Sequence, residues 1–222
     1  MLRAMASTAS SAPAQRLDSI QRHLAASAKP PRPSPPLASS FRYFLPFQTR
    51  WADNDQYGHL NNVKYGEYFD SITNHYLRHH CYPALDQPDK HPIGLVVASH
   101  TSYASSLAYP EPVLAGLAVA RLGTSSVEWR VALFAAEYAP AVELGGLEGW
   151  EAGDAAGAEG AGRRVRLKLD GKGEARAAAW GGMTHVFVDE RSRKPVKGLE
   201  SGMRAALERL LVEEAGDGLA AA

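Results

Sequence analysis

Between Arg50 and Ile72 the chain reads RWADNDQYGHLNNVKYGEYFDSI. Within this stretch are two carboxylates, Asp53 and Asp55, then Gly58, His59 and the pair Asn61-Asn62, directly ahead of an aromatic-striped segment. A carboxylate in such a loop can attack an acyl carbon or activate a water for the same attack. A backbone N–H at a helix start can polarise the acyl oxygen, because it lacks an intrahelical partner and lies at the positive end of the helix dipole. The same residue types are also ordinary turn and helix-entry residues: Asp and Asn cap orphan amides, and Gly admits left-handed turns. Asp53 and Asp55 alternate, so an extended stretch turns them to opposite sides. That leaves Asp53 for a structural pairing, with Arg50 as the nearby cation.

Other reactive types are less organised. Cys81 is the single cysteine, so an internal disulfide framework is excluded, and its surroundings show no activating group. His75 and His79 stand four apart with His80 beside them, a spacing that can hold a metal, but no Glu completes an H-E-x-x-H pattern and no metal is expected. Ser105, Ser106, Ser125 and Ser126 lack a G-x-S-x-G elbow, which argues against a serine hydrolase. Arg163, Arg164, Arg166 and Lys168 suit either phosphate contacts or a solvated strand face.

The elements that must position the loop are legible around it. YFLPFQTR, residues 43–50, reads as a first strand, with Pro46 marking an edge or an irregularity. Tyr65, Phe69, Ile72 and Tyr76 fall at steps of four, three and four, one apolar face of a helix. Asn61 or Asn62 caps its start, and Cys81-Tyr82-Pro83 ends it. From residue 93 the period changes to that of strands: IGLVVASHTSY, VLAGLAVARLG, and SSVEWRVALFAAEY, in which Val127, Trp129, Val131 and Leu133 share a face. RRVRLKLD, the hairpin signal DGKG and EARAAAWGGMTHVFVDE follow. Residues 201–214 carry Met203, Ala206, Leu207, Leu210 and Leu211 at helical spacing. One helix followed by consecutive strands predicts an α+β fold, an antiparallel sheet with the helix on one face.

The flanks differ in kind. Residues 1–40 are rich in Ala, Ser and Pro, with five basic residues and Asp18 as the single acid. That composition fits a mitochondrial presequence or, alternatively, a tail without an address on a cytoplasmic protein. The folded domain is expected over 41–200, interrupted by a Gly/Ala-rich acidic loop at 139–162, with a C-terminal helix and tail at 201–222. Lys plus Arg equals Asp plus Glu, 24 each, so charge predicts no nucleic-acid partner. There is no apolar run of about 18 residues, so no membrane-spanning helix is expected.

The form RW-x-D-x-D-x-x-G-H-x-N-N followed by Tyr65 and Glu67-Tyr68-Phe69 resembles the hotdog-fold acyl-CoA thioesterases of the 4-hydroxybenzoyl-CoA thioesterase type. ARLGTSS (Ala120–Ser126) and HVFVDERSRKPV (His185–Val196) are similar to later segments of that family. The resemblance implies a hotdog fold, a long central helix wrapped by an antiparallel sheet, and a homodimer or homotetramer with sites formed between subunits. It implies an acyl-CoA substrate hydrolysed to free acid and coenzyme A without a cofactor. Asp55 matches the catalytic carboxylate, and the Asn62 amide the oxyanion donor. His59 would orient Asp55 or a water; Gly58, Asn61 and Tyr65 would border the substrate. Departures are the 139–162 insertion, Gly116-Leu117 where many members have Gly-Asp, and the tail. Two other functions are compatible: a hotdog dehydratase, although its Asp/His spacing is not found, and a non-catalytic hotdog subunit.

Overall fold

The structure, a computed structural model, describes residues 34–85, 90–139, 151–152 and 164–212. Apart from Ser34, all of them belong to one unit, Pro35–Ala220. Its centre is helix α1 (Asn62–Tyr76), whose buried residues Tyr65, Tyr68, Phe69, Ile72, Thr73 and Tyr76 form the expected apolar stripe. Asn61 caps it, its side-chain oxygen accepting the Val63 N–H at 3.3 Å. The rod does not stop at Tyr76. A π turn, Leu77–Cys81, and a 3₁₀ turn, Tyr82–Ala84, extend it.

The sheet is built from β1 (Tyr43–Gln48), β2 (Ile93–Tyr103), β3 (Pro112–Leu122), β4 (Ser126–Ala139), β5 (Glu151–Ala152), β6 (Arg164–Leu167) and β7 (Ala179–Val188). Its order is β2-β7-β4-β3-β1-β5, with β6 on the far end of β4. All pairings are antiparallel except that of β1 with the two-residue β5. This is the hotdog arrangement: a long helix lying on an antiparallel sheet. Val127, Trp129, Val131 and Leu133 do share a face, and they pack in one cluster with Phe69, Ile72 and Tyr76 of α1. The opposite face is also covered. Phe41, Phe44, Leu114, Ala118, Phe134 and Trp180 form a second cluster there. β3 therefore buries eight successive residues, as its near-continuous apolar sequence requires.

The structure departs from the sequence expectations at several margins. Residues 36–41, assigned above largely to the tail, are part of the fold. The Ala38 N–H donates to Ala175 and the Ala177 N–H to Pro36, and Ala38 and Phe41 are buried on the second face. A local reading misses this, because the partners lie more than 130 residues away. The terminal helix α2 (Ser201–Glu208) is shorter than 201–214. Along β3, β1 pairs only as far as Leu117, which leaves that edge open at Val119. Its N–H donates to Leu210 and its carbonyl accepts from Val212, which pulls the chain out of helix. DGKG does turn, with Gly173 at φ +76° and the Asp170 carboxylate accepting the Lys172 and Glu174 amides. Most of the 139–162 insertion and residues 1–33 lie outside the described residues.

Candidate active site

The loop between β1 and α1 is organised by its two aspartates in different ways. Asp53 is fully buried. Its carboxylate accepts the Arg50 N–H at 2.8 Å and the Tyr68 hydroxyl at 3.0 Å, and pairs with the Arg50 guanidinium at 3.1 Å. Burial opposes its ionisation. The Arg50 amide and guanidinium and the Tyr68 hydroxyl outweigh burial and hold the carboxyl below its usual range. Burial first, then the hydrogen bond to Asp53 and its charge, push the Tyr68 hydroxyl far above its ordinary value. Asp53 is thus the structural pin joining loop to helix, as its pairing with Arg50 led one to expect.

Asp55 makes a tight turn of its own. Its Oδ1 accepts the N–H of Tyr57 at 2.8 Å and of His59 at 3.2 Å. Its own N–H donates to the His59 carbonyl at 2.7 Å, and its carbonyl accepts the Gly58 N–H at 3.1 Å. Gly58 sits at φ +78°, where a side chain would be strained. One carboxylate oxygen is therefore fixed by two amides, and Oδ2 is left without a protein donor among the described residues. Turn-building, one of the two uses open in the sequence, occupies a single oxygen of Asp55 and so does not exclude the other use.

Asp55 opens onto a cleft of about 230 Å³ lined by Asp55, His59, Leu60, Asn62, Tyr65, Tyr103, Ala104, Ser105 and Ser106. Asn62 is the first residue of α1, so its N–H has no partner one turn back. The capping side chain of Asn61 takes the Val63 N–H, not that of Asn62, and Asn62 itself lines the cleft. The wall opposite the loop is the end of β2. The Tyr103 ring meets Tyr65 edge-on at 5.1 Å, and its hydroxyl reaches the Asn62 carbonyl at 3.5 Å. Tyr65 is itself buried. Burial raises its hydroxyl pKa, opposed by a hydrogen bond with the Leu107 backbone.

Of the residues singled out from the sequence, Asp55, His59, Asn62 and Tyr65 converge on the cleft. Gly58 and Asn61 do not line it; they shape the turn and the helix cap. His59 orients Asp55 through its backbone amide, and its exposed imidazole borders the cleft. Tyr65 belongs both to the core and to the cleft wall. Nothing in the local sequence marks Tyr103 and Ala104 as site residues, and Ser105 and Ser106 stand out there only as nucleophile types. Their place in the site follows from β2 being an edge strand that ends beside the helix start. Asn54 was also missed: its side chain donates to Gly58 and accepts the Tyr109 N–H at 3.1 Å.

The remaining candidates lie elsewhere. Cys81 is fully buried, and burial pushes its thiol up to about 12. The His75 and His79 rings are 4.3 Å apart, and His75 Nδ1 bonds the Tyr43 hydroxyl at 2.8 Å. Burial and then its two histidine neighbours lower the His75 pKa. No group of three or more metal-ligating side chains assembles among the described residues. Arg166 pairs with Glu137 and Lys168 with Glu111, as on a solvated strand face.

Comparison with known proteins agrees with this geometry. The family model described as "Thioesterase superfamily" matches residues 57–139. The PA5185 protein of Pseudomonas aeruginosa is 35% identical, with a TM-score of 0.58 over 80% of this chain and 96% of that one. A dynemicin thioesterase shares 14% identity and a TM-score of 0.55, over 77% of this chain and 97% of its own. A thioesterase superfamily protein of Jannaschia sp. CCS1 shares 16% identity and a TM-score of 0.53, over 83% and 99%. Comparison with proteins of curated function returned no match.

Proposed function

Because the chain belongs to the thioesterase superfamily, we propose that it hydrolyses an acyl-CoA thioester to the free acid and coenzyme A. The observation that supports this reading is the turn around Asp55, which ties up Oδ1, leaves Oδ2 out of the turn and sets the residue in the lining of the cleft shared with Asn62. The acyl oxygen would lie against the Asn62 N–H, where the helix start favours the charge that develops on it. Asp55 Oδ2 then either takes a proton from an attacking water or attacks the acyl carbon itself. In the first route the water oxygen bonds the acyl carbon as the carbon–sulfur bond breaks, giving the acid directly; in the second the acyl–Asp55 anhydride so formed is cleaved by a later water to the free acid and the Asp55 carboxylate, and in both coenzyme A leaves as the thiolate. His59 borders the path of that water. No metal or other cofactor enters either route.

The active unit we infer is a homodimer. β2 has eleven residues at the sheet edge, with Leu95, Val96, Val97 and Tyr103 exposed. A long apolar edge of this kind is a template for pairing with another strand. A second copy would also wall the open side of the cleft beside Tyr103.

The deciding experiment is a screen of acyl-CoAs of different chain length and aromatic content, with release of free thiol as the readout. Hydrolysis of at least one class is expected. A dimer that hydrolyses none of them would make the chain a non-catalytic member of its family.

A further inference from the structure

Outside the cleft, Trp51 and Tyr109 make an exposed aromatic corner at the start of the loop that carries Asp55. Trp51 is 79% exposed, and its indole meets the Tyr109 ring at 6.1 Å and 87°, a floor and a wall. Leaving an indole in water forgoes the burial that large aromatic side chains ordinarily provide. The corner is nevertheless held in place. The Gln48 side chain donates to the Pro110 carbonyl at 3.0 Å, and the Thr49 hydroxyl to the Glu111 carbonyl at 2.7 Å. Asn54 accepts the Tyr109 N–H and, by its amide donor, grips the Gly58 carbonyl in the turn of Asp55. The corner and the turn around Asp55 are thus braced by one side chain.

Next to Trp51 stands Arg50. Its guanidinium is 70% exposed, and Nε and Nη2 are used on Asp53 while Nη1 points to no acceptor among the described residues. A rigid open aromatic face beside a cation is the arrangement that takes a planar base and its phosphate. A cleft of about 230 Å³ has room for the reacting end of a coenzyme A thioester, not for its nucleotide. The nucleotide must therefore lie on the surface outside it.

We propose that Trp51 and Tyr109 are the stacking platform for the adenine of the coenzyme A thioester, with Arg50 facing its phosphates. This rests on the reading that the cleft takes such a thioester. It gives the exposed pair a specific occupant and assigns substrate recognition to residues outside the reacting cleft.

The test uses the full chain and two probes. Adenosine 3′,5′-bisphosphate, titrated by calorimetry, is expected to bind wild type and to lose about 5- to 150-fold in affinity in Trp51→Ala, the range for removing one aromatic partner of a base. Trp51→Phe, which keeps a ring, should recover part of that loss. In turnover assays, Trp51→Ala should raise KM for an acyl-CoA far more than KM for the matching N-acetylcysteamine thioester, which has no nucleotide. Equal increases on both substrates would overturn the proposal. So would affinity for the bisphosphate unchanged in Trp51→Ala, binding of adenosine 5′-monophosphate or pantetheine as tight as that of the bisphosphate, or a change of sedimentation coefficient marking Trp51 as a subunit contact. Trp51-dependent binding of the bisphosphate by a protein that cleaves no thioester would keep the platform and remove the hydrolase reading; hydrolysis without such binding would do the reverse.

Discussion

Asp53 and Asp55 stand two residues apart and serve opposite sides of one loop. Asp53 is enclosed against Tyr68 and Arg50, whereas Asp55 keeps one oxygen in an amide-lined turn and lies in the lining of the cleft. Chemistry and anchorage are therefore separable by mutation.

Asp55→Asn keeps an oxygen that can accept the Tyr57 and His59 amides, so the turn should persist. It removes the group that would act as base or nucleophile. The expected outcome is a fall in kcat of about 10²- to 10⁴-fold, the usual contribution of general acid–base catalysis, with little change in the urea midpoint. Steady-state kinetics on the best acyl-CoA of the screen checks it. Turnover within a few-fold of wild type would remove Asp55 from the mechanism.

Asp53→Ala should act in the other direction, on stability. It strands the buried Tyr68 hydroxyl and the Arg50 amide, at a cost of about 1–3 kcal/mol; the guanidinium left behind is largely solvated, which limits the loss. The carboxyl has a lowered pKa in the folded chain, so its contribution is complete above the ordinary carboxylate value of 3.8. It declines as pH falls from there through the lowered folded value. Urea unfolding from neutral pH down to about pH 3 should show a wild-type acid loss that is smaller in the mutant.

The Cys81 thiol should be inert toward an aromatic disulfide reagent at neutral pH, because burial pushes it up to about 12 and solvent does not reach it. One equivalent should react once the chain is unfolded in denaturant. Rapid labelling of the native protein would show that the end of the helix opens.

The β2 edge carries the dimer proposal. Val97 is 61% exposed at a register shift of the strand. Val97→Lys places a charge where a second strand would dock, a device by which natural edges avoid pairing. Sedimentation should move from dimer to monomer, with thioester hydrolysis falling in parallel. A mutant that stays dimeric would place the interface elsewhere.

How far the sequence carried the reading can be followed residue by residue. The stripe of Tyr65, Phe69, Ile72 and Tyr76 and the alternation of β4 were legible because their periods are local. The loop stood out through its whole form, RW-x-D-x-D-x-x-G-H-x-N-N, since Asp, Gly and Asn taken singly are also ordinary turn and cap residues. The opposite wall of the cleft was not, since Tyr103 stands forty-one residues beyond Asn62 in the chain and reaches it only through the sheet. Nor was the packing of Ala38 and Phe41, which depends on Ala175 and on the far face of β3. The early end of α2 escaped for a similar reason: Leu210 and Leu211 keep helical spacing, but the backbone of Val119 offers them a better use.

The π turn at Leu77–Cys81 resets the phase of the central rod. Buried positions advance in adjacent pairs as far as Tyr76 and Leu77, and after them Cys81 alone is buried in the turn. In that coil the small thiol of Cys81 takes the interior, while the half-buried His80 ring stays at the margin, tilted at 31° to Tyr76 and edge-on to Tyr43. A deletion anywhere in that coil would rotate everything downstream of it, including the seat of α2, whose Ala206 carbonyl receives the Tyr76 hydroxyl.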